Sequence, residues 1–179
     1  DSWEYIGIAQ TSILDRRFWI AVRPFTVPLV YKVAGVEGGA VARSQWLIAI
    51  ACWVALATAV ARMLRTRSLR PVAFAAVLLA SPSRALTLWH KVVHSESISL
   101  PLFALVVASW ILALDWLRRH PTPTDREQMR IGAGLGALMA VWSFARDVHI
   151  YFVAFTAALA ALALLAGRRR ARFYRIVLA

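Results

Sequence analysis

The chain has 179 residues, 60% of them hydrophobic, with a mean hydropathy of +0.62 and 21 Lys and Arg against 9 Asp and Glu, a formal net charge of +12. So apolar a composition excludes an ordinary water-soluble domain, and the arginines bracket apolar runs instead of forming the basic face that nucleic acid requires. The lone cysteine, Cys52, stands inside an apolar run, so neither a disulfide framework nor a thiolate metal site is available within the chain.

The first segment, residues 1–44, does not read as a span. Asp15, Arg16, Arg17 and Arg23 divide it, and Pro24 and Pro28 stop any long helix. The opening DSWEY has no basic stretch ahead of an apolar core, so it does not read as a signal peptide. A start on Asp and an end within RIVLA read as a piece of a longer membrane protein. The segment is expected to form one or two amphipathic helices on the outer surface. Trp3, Tyr5, Ile6, Ile8 and Ala9 would make the apolar face of the first, with Asp1 and Glu4 at its N-terminus, where negative charge is favoured. RPFTVPLVY then returns the chain to the bilayer.

Residues 45–167 read as an all-α, polytopic transmembrane bundle of about five spans. A spanning helix needs roughly 20 predominantly apolar residues. The runs 45–63, 98–117 and 149–167 meet this with almost no interior charge; 72–89 has the length, but Pro82 and Arg84 interrupt its second half. The run 131–145 is short and ends on Arg146 and Asp147, while its Gly132 and Gly136 supply a small-xxx-small face for close helix packing. Residues 168–179 form a basic tail.

Arginine placement orients the bundle. Arg62, Arg65, Arg67 and Arg70 fill one loop, Arg118, Arg119, Arg126 and Arg130 another, and Arg168, Arg169, Arg170, Arg172 and Arg175 follow the last span. If every run crosses, all three lie on one side, which the positive-inside bias makes cytoplasmic. HPTPTD in the middle loop is an exposed turn. The opposite face then collects residues 1–44, the phrase LWHKVVHSESISLPL and the Arg146–Asp147 break. Arg23, Lys91 and Arg146 sit there against the bias, beside Asp1, His94 and Glu96. Ionisable groups at membrane depth are functional candidates. The carboxylates of Asp1 and Glu96 could remove a proton, and the cations could pair with phosphate oxygens. The same set could instead be interfacial ion pairs that close the bundle, with Ser95 or Ser97 capping a helix start. His90 and His94, four apart, lie on one helix face but lack a defined third zinc ligand. A hard divalent cation on Asp1 and Glu96 is the better-matched metal chemistry. No glycine-rich phosphate loop and no Ser/His/Asp order is present.

Taken together, DSWEYIGIA, RPFTVPLVYKVAG, the arginine-rich loop between spans, SESISLPLFAL opening the next span and the break around ARD resemble the GT-C class of membrane glycosyltransferases. These use polyprenyl-phosphate-linked sugars, as protein mannosyltransferases and the lipid A aminoarabinose transferase do. The resemblance implies a bacterial inner-membrane enzyme that moves a sugar, with inversion, to an acceptor hydroxyl of a glycan, lipid or protein. It assigns Asp1 as the catalytic base in the first outer loop, with Glu4 in place of the family's second acidic residue, since Ser2 follows Asp1. It assigns Glu96 as the acidic residue opening a later span, and Arg23 as a contact to lipid phosphate. The rival class is a non-enzymatic membrane protein, a transporter core or structural subunit; a transporter should carry ionisable residues at mid-span, whereas most charges here stand at span ends.

Overall fold

Why the helices run where they do follows from caps and apolar faces. A computed structural model describes residues 2–21, 23–81, 95–146, 151 and 156, and among the described residues the regular structure is entirely helical. In chain order the elements are α1 (Ser2–Gln10), α2 (Arg16–Trp19), α3 (Thr26–Ala34), α4 (Gly38–Met63), α5 (Leu69–Ala80), α6 (Glu96–Arg119) and α7 (Asp125–Ser143).

The first three helices form a cap over one end of the longer ones. Asp15 starts α2 by accepting from the Arg17 N–H at 2.8 Å. α1 packs on α3 and α3 on α4. Tyr5 and Ala9 of α1 meet Val27 and Tyr31 of α3, Val41 of α4 and Ile98 of α6 in one buried cluster. This corrects the expected apolar face of α1: Tyr5 and Ala9 point into protein, Ile6 and Ile8 are half-buried, and Trp3 is 83% exposed. The helical period explains the split, since Trp3 lies roughly 200° around the helix from Tyr5. The C-terminal carbonyls of α1 are capped from outside by Lys32, whose Nζ donates to Ala9 O at 3.0 Å and Thr11 O at 2.6 Å. Gly35, at φ +101°, ends α3 in the left-handed region that a side chain resists, and Glu37 begins α4.

α4 thus starts at Gly38, ahead of the expected 45; the apolar run marks the span, whereas the helix extends through the polar Arg43 and Ser44. α6 lies along α4 in the most extensive interface of the fold. α4 buries Val41, Gln45, Ala49 and Cys52, and α6 buries Ser97, Pro101, Ala104 and Ala108. Small residues at three- and four-residue intervals let the helix backbones approach closely, which is how apolar helices associate where lipid removes the hydrophobic drive. α5 returns along α4, but its 12 residues rise only about 18 Å. The remainder of the expected span 72–89, with Pro82 and Arg84, lies outside the described residues, as does nearly all of 149–167.

α7 packs on a second face of α6, where Val106 meets Met139 and Trp142. A capping box starts α7: Glu127 N–H donates to Thr124 Oγ1 at 3.3 Å while Thr124 N–H donates to Glu127 Oε2 at 2.9 Å. Hence the helix begins at Asp125, ahead of the expected 131, and its first turns are charged. Gly132 is buried, Gly136 half-buried.

Among the described residues two helices, α4 with 26 residues and α6 with 24, are long and apolar enough to cross a membrane. Only 28% of the most apolar stretch of α4 and 44% of that of α6 is buried. Trp46, Leu47, Ile50 and Val54 of α4 face outward, an arrangement that suits lipid better than water.

Candidate functional site at the start of α6

Four segments distant in sequence meet at the end of the bundle where α6 begins. Thr26, opening α3, joins the end of α7: its N–H donates to Phe144 O at 3.3 Å and its Oγ1 donates to Val141 O at 2.9 Å. These bonds satisfy carbonyls that the last turn of α7 leaves without helical partners. A file of aromatic rings seals the same junction, with centroids 5.0 Å apart from Trp19 to Phe25 and 4.9 Å apart from Phe25 to Phe144. From α7, Trp142 Nε1 donates to Ser99 O of α6 at 3.2 Å.

This junction positions two of the sequence-predicted cations. Arg23 stands three residues before Thr26 and Arg146 two after Phe144, so their Cα atoms lie within about 11 Å and 8 Å of those anchors. Arg23 Nε is 2.6 Å from Glu4 Oε2, and its guanidinium lies 5.9 Å from the centre of the Tyr5 ring. The Arg23 hydrogen bond, then its charge, holds the Glu4 carboxyl below its ordinary pKa. Arg146 Nη2 is 3.1 Å from Glu96 Oε1, and Ser95 Oγ donates to Glu96 Oε2 at 3.2 Å. Ser95 occupies the N-cap position of α6 without a side-chain cap bond.

Both oxygens of Glu96 are therefore engaged. Its half-buried partner Arg146 is fixed by this contact. Beneath the junction a buried polar knot ties α3, α4 and α6: Gln45 Nε2 donates to the Tyr31 hydroxyl at 2.8 Å, and Ser97 bonds the same phenol. Burial pushes the Tyr31 pKa up, so the phenol stays neutral.

Of the candidate residues, the structure brings Arg23 to Glu4 and Arg146 to Glu96, and places both pairs beside the α3–α7 junction. Asp1, Lys91 and His94, with His90, lie outside the described residues. Among the described residues no three His, Cys, Asp or Glu side chains gather into a metal-binding group; the cation expected on Asp1 and Glu96 involves a residue outside them. Sequence reasoning passed over Thr26 and Gln45, whose roles arise from contacts across the fold, as does the capping role of Lys32. It also passed over Asp115, which is 5% exposed near the other end of α6 and held by Arg119 at 2.6 Å and Arg118 at 3.2 Å. An acid three and four residues before two arginines was its visible signal. No family model, curated protein or solved structure matches this chain.

Proposed function

We propose that the chain forms part of an integral membrane glycosyltransferase of the GT-C type, with its arginine-rich loops cytoplasmic and its active site at the extracytoplasmic start of α6. The observation that carries this reading is the junction just described, where Arg23 and Arg146 are held at one end of two helices apolar enough to cross a membrane. The planar fork of a guanidinium suits phosphate.

In the proposed reaction an acceptor hydroxyl oxygen attacks the anomeric carbon of a sugar carried on polyprenyl phosphate. The new C–O bond forms as the bond from that carbon to the phosphate oxygen breaks, with inversion; the electron pair leaves on the polyprenyl phosphate. Asp1 takes the hydroxyl proton. Arg23, Lys91, His94 and Arg146 offset the charge that grows on the leaving phosphate, and Glu96 holds Arg146 in place. A divalent cation on Asp1 and Glu96 is a variant that loss of activity with chelator would reveal.

One observation favours a second reading, a non-enzymatic membrane subunit or transporter core: each arginine already has a carboxylate, at 2.6 and 3.1 Å, as expected of pairs that only close a bundle. Transfer of labelled sugar from polyprenyl-phosphate donors, measured in membranes containing the protein, separates the two. The transferase reading expects transfer, its loss in Asp1→Asn, and a fall of roughly 10²-fold in kcat for Arg146→Gln, the size of one lost stabilising donor, at unchanged expression. Absence of transfer from every such donor, or native rates in both variants, would leave the second reading.

A further inference from the structure

α6 and α7 close tightly at one end and part at the other. Near the start of α6 they are pinned by the Trp142–Ser99 bond and by the Phe103 and Trp142 rings, 5.3 Å apart. Toward the arginine-bearing end they leave an open groove of about 490 Å³ between them, whose walls include Ser109, Leu112 and Trp116 of α6 and Arg130, Ile131 and Gly134 of α7. Ser109 to Trp116 spans about 10 Å along the helix, much of the roughly 15 Å depth of one bilayer leaflet.

The walls are mostly apolar, and Arg130 borders them. Arg126, four residues earlier, shares its helix face. Glu127 also borders the groove, but its carboxylate is turned back onto Thr124, with Oε2 2.8 Å from the hydroxyl and 2.9 Å from the N–H. Asp115 takes Arg118 and Arg119. Over residues 62–70 and 115–130 together, eight arginines face three carboxylates, so the charge of this end attracts an anion.

We infer that this groove seats one acyl chain of an anionic phospholipid, with its phosphate on Arg126 and Arg130. The apolar walls take the part of the chain nearest the head group, and the guanidiniums of Arg130 and of Arg126, one turn earlier, take the phosphate. Gly134 borders the groove, and a Cβ there meets no atom within 4 Å, so a side chain can be introduced at this position to occupy the groove. The inference needs α6 and α7 to stand in a bilayer but none of the transfer chemistry proposed above, so failure of either leaves the other standing.

Trp116 lines the groove and reports on it. The full chain, reconstituted in phosphatidylcholine bilayers, is titrated with brominated phosphatidylglycerol, and separately with brominated phosphatidylcholine in phosphatidylglycerol bilayers. The difference between native and Trp116→Phe protein isolates the Trp116 emission. Brominated phosphatidylglycerol should quench it about fivefold more effectively per contributing arginine. Arg130→Gln, an exposed position, should lower that preference about fivefold while quenching by brominated phosphatidylcholine persists. Gly134→Leu, with helix content unchanged by circular dichroism, should abolish quenching by both. Equal quenching by the two lipids, an unaltered preference in Arg130→Gln, or no quenching of native Trp116, which would mean that protein fills the groove, would each overturn the inference.

Discussion

Glu4 and Arg23 illustrate how much one contact at the surface can be asked to do. The Glu4 side chain is half exposed, so the pair adds little to global stability, but it fastens the start of α1 to the segment that leads into α3. Its pH dependence has a defined sign. The carboxyl is held below its ordinary value by the Arg23 hydrogen bond, so the pair's contribution is full above the unfolded carboxylate pKa, about 4.3, and is lost as pH falls through the lower folded value. Protection of the α1 amides against hydrogen exchange, corrected for the intrinsic rate at each pH, should therefore fall below about pH 4 in the native protein, and Glu4→Gln should show the lower protection already at neutral pH. A native profile that stays flat to lower pH would remove the pair from this role. The buried knot behaves differently because water cannot replace a lost partner. Gln45→Leu and Tyr31→Phe each leave a buried polar group short of a bond and should each cost about 1–3 kcal/mol in micellar unfolding. The double variant should cost less than the two together. Sequence offered the polar residues of this knot singly, Gln45 at the head of one apolar run and Ser97 before another. Their meeting at Tyr31 depends on how three helices pack, which no local pattern encodes. The candidate site was legible to the same degree. Arg23, Glu96 and Arg146 stood out as charges beside apolar runs, whereas their pairing had to come from the fold.

At the scale of elements, apolar length located α4 and α6 well, while helix starts were misplaced because caps and not hydropathy decide them. α7 begins six residues before its apolar run, and the signal for that was present in Thr124 and Glu127, an S/T-x-x-E capping box. Thr124→Ala should accordingly cost about 1 kcal/mol, seen as faster amide exchange confined to the first turn of α7. The docking of α3 on α7 was not legible, since Thr26 and Phe144 are far apart in sequence and neither has a distinctive neighbourhood. Thr26→Val keeps the shape and the N–H to Phe144 but drops the hydroxyl bond to Val141. If that bond fastens the N-terminal cap, trypsin should cut at Arg16 or Arg17 several-fold faster in this variant, with cleavage in the α4–α5 loop unchanged. Equal cutting at both places would show that the aromatic file from Trp19 to Phe144 is enough to hold the cap.

For the whole molecule, the question is which solvent surrounds the long helices. Packing alone gives an ambiguous answer, because the buried core of a soluble protein can also contain apolar helices of this length. What separates the cases is the outward face. In α4 beyond Gln45 the inward residues are small, Ala49, Cys52, Ala57 and Ala59, and the large ones, Trp46, Leu47, Ile50 and Val54, point away from the described helices. A protein folding in water buries its largest apolar side chains first; one folding in lipid gains nothing by doing so and packs its small residues inward to bring backbones together. Ile50 tests this, being 56% exposed at the middle of α4. If its face meets lipid, Ile50→Lys replaces a favourable residue with one costing about 3 kcal/mol at the centre of a spanning helix, and the fraction of chain that resists alkaline extraction from membranes should fall sharply. If its face meets water, the same change is an ordinary surface substitution worth within about 0.5 kcal/mol, and extraction should not change. Ala49→Lys, one residue away on the buried face, should unfold the α4–α6 interface in either solvent. The contrast between the two lysines, set by a single step of about 100° around one helix, therefore reports the solvent independently of any defect in folding.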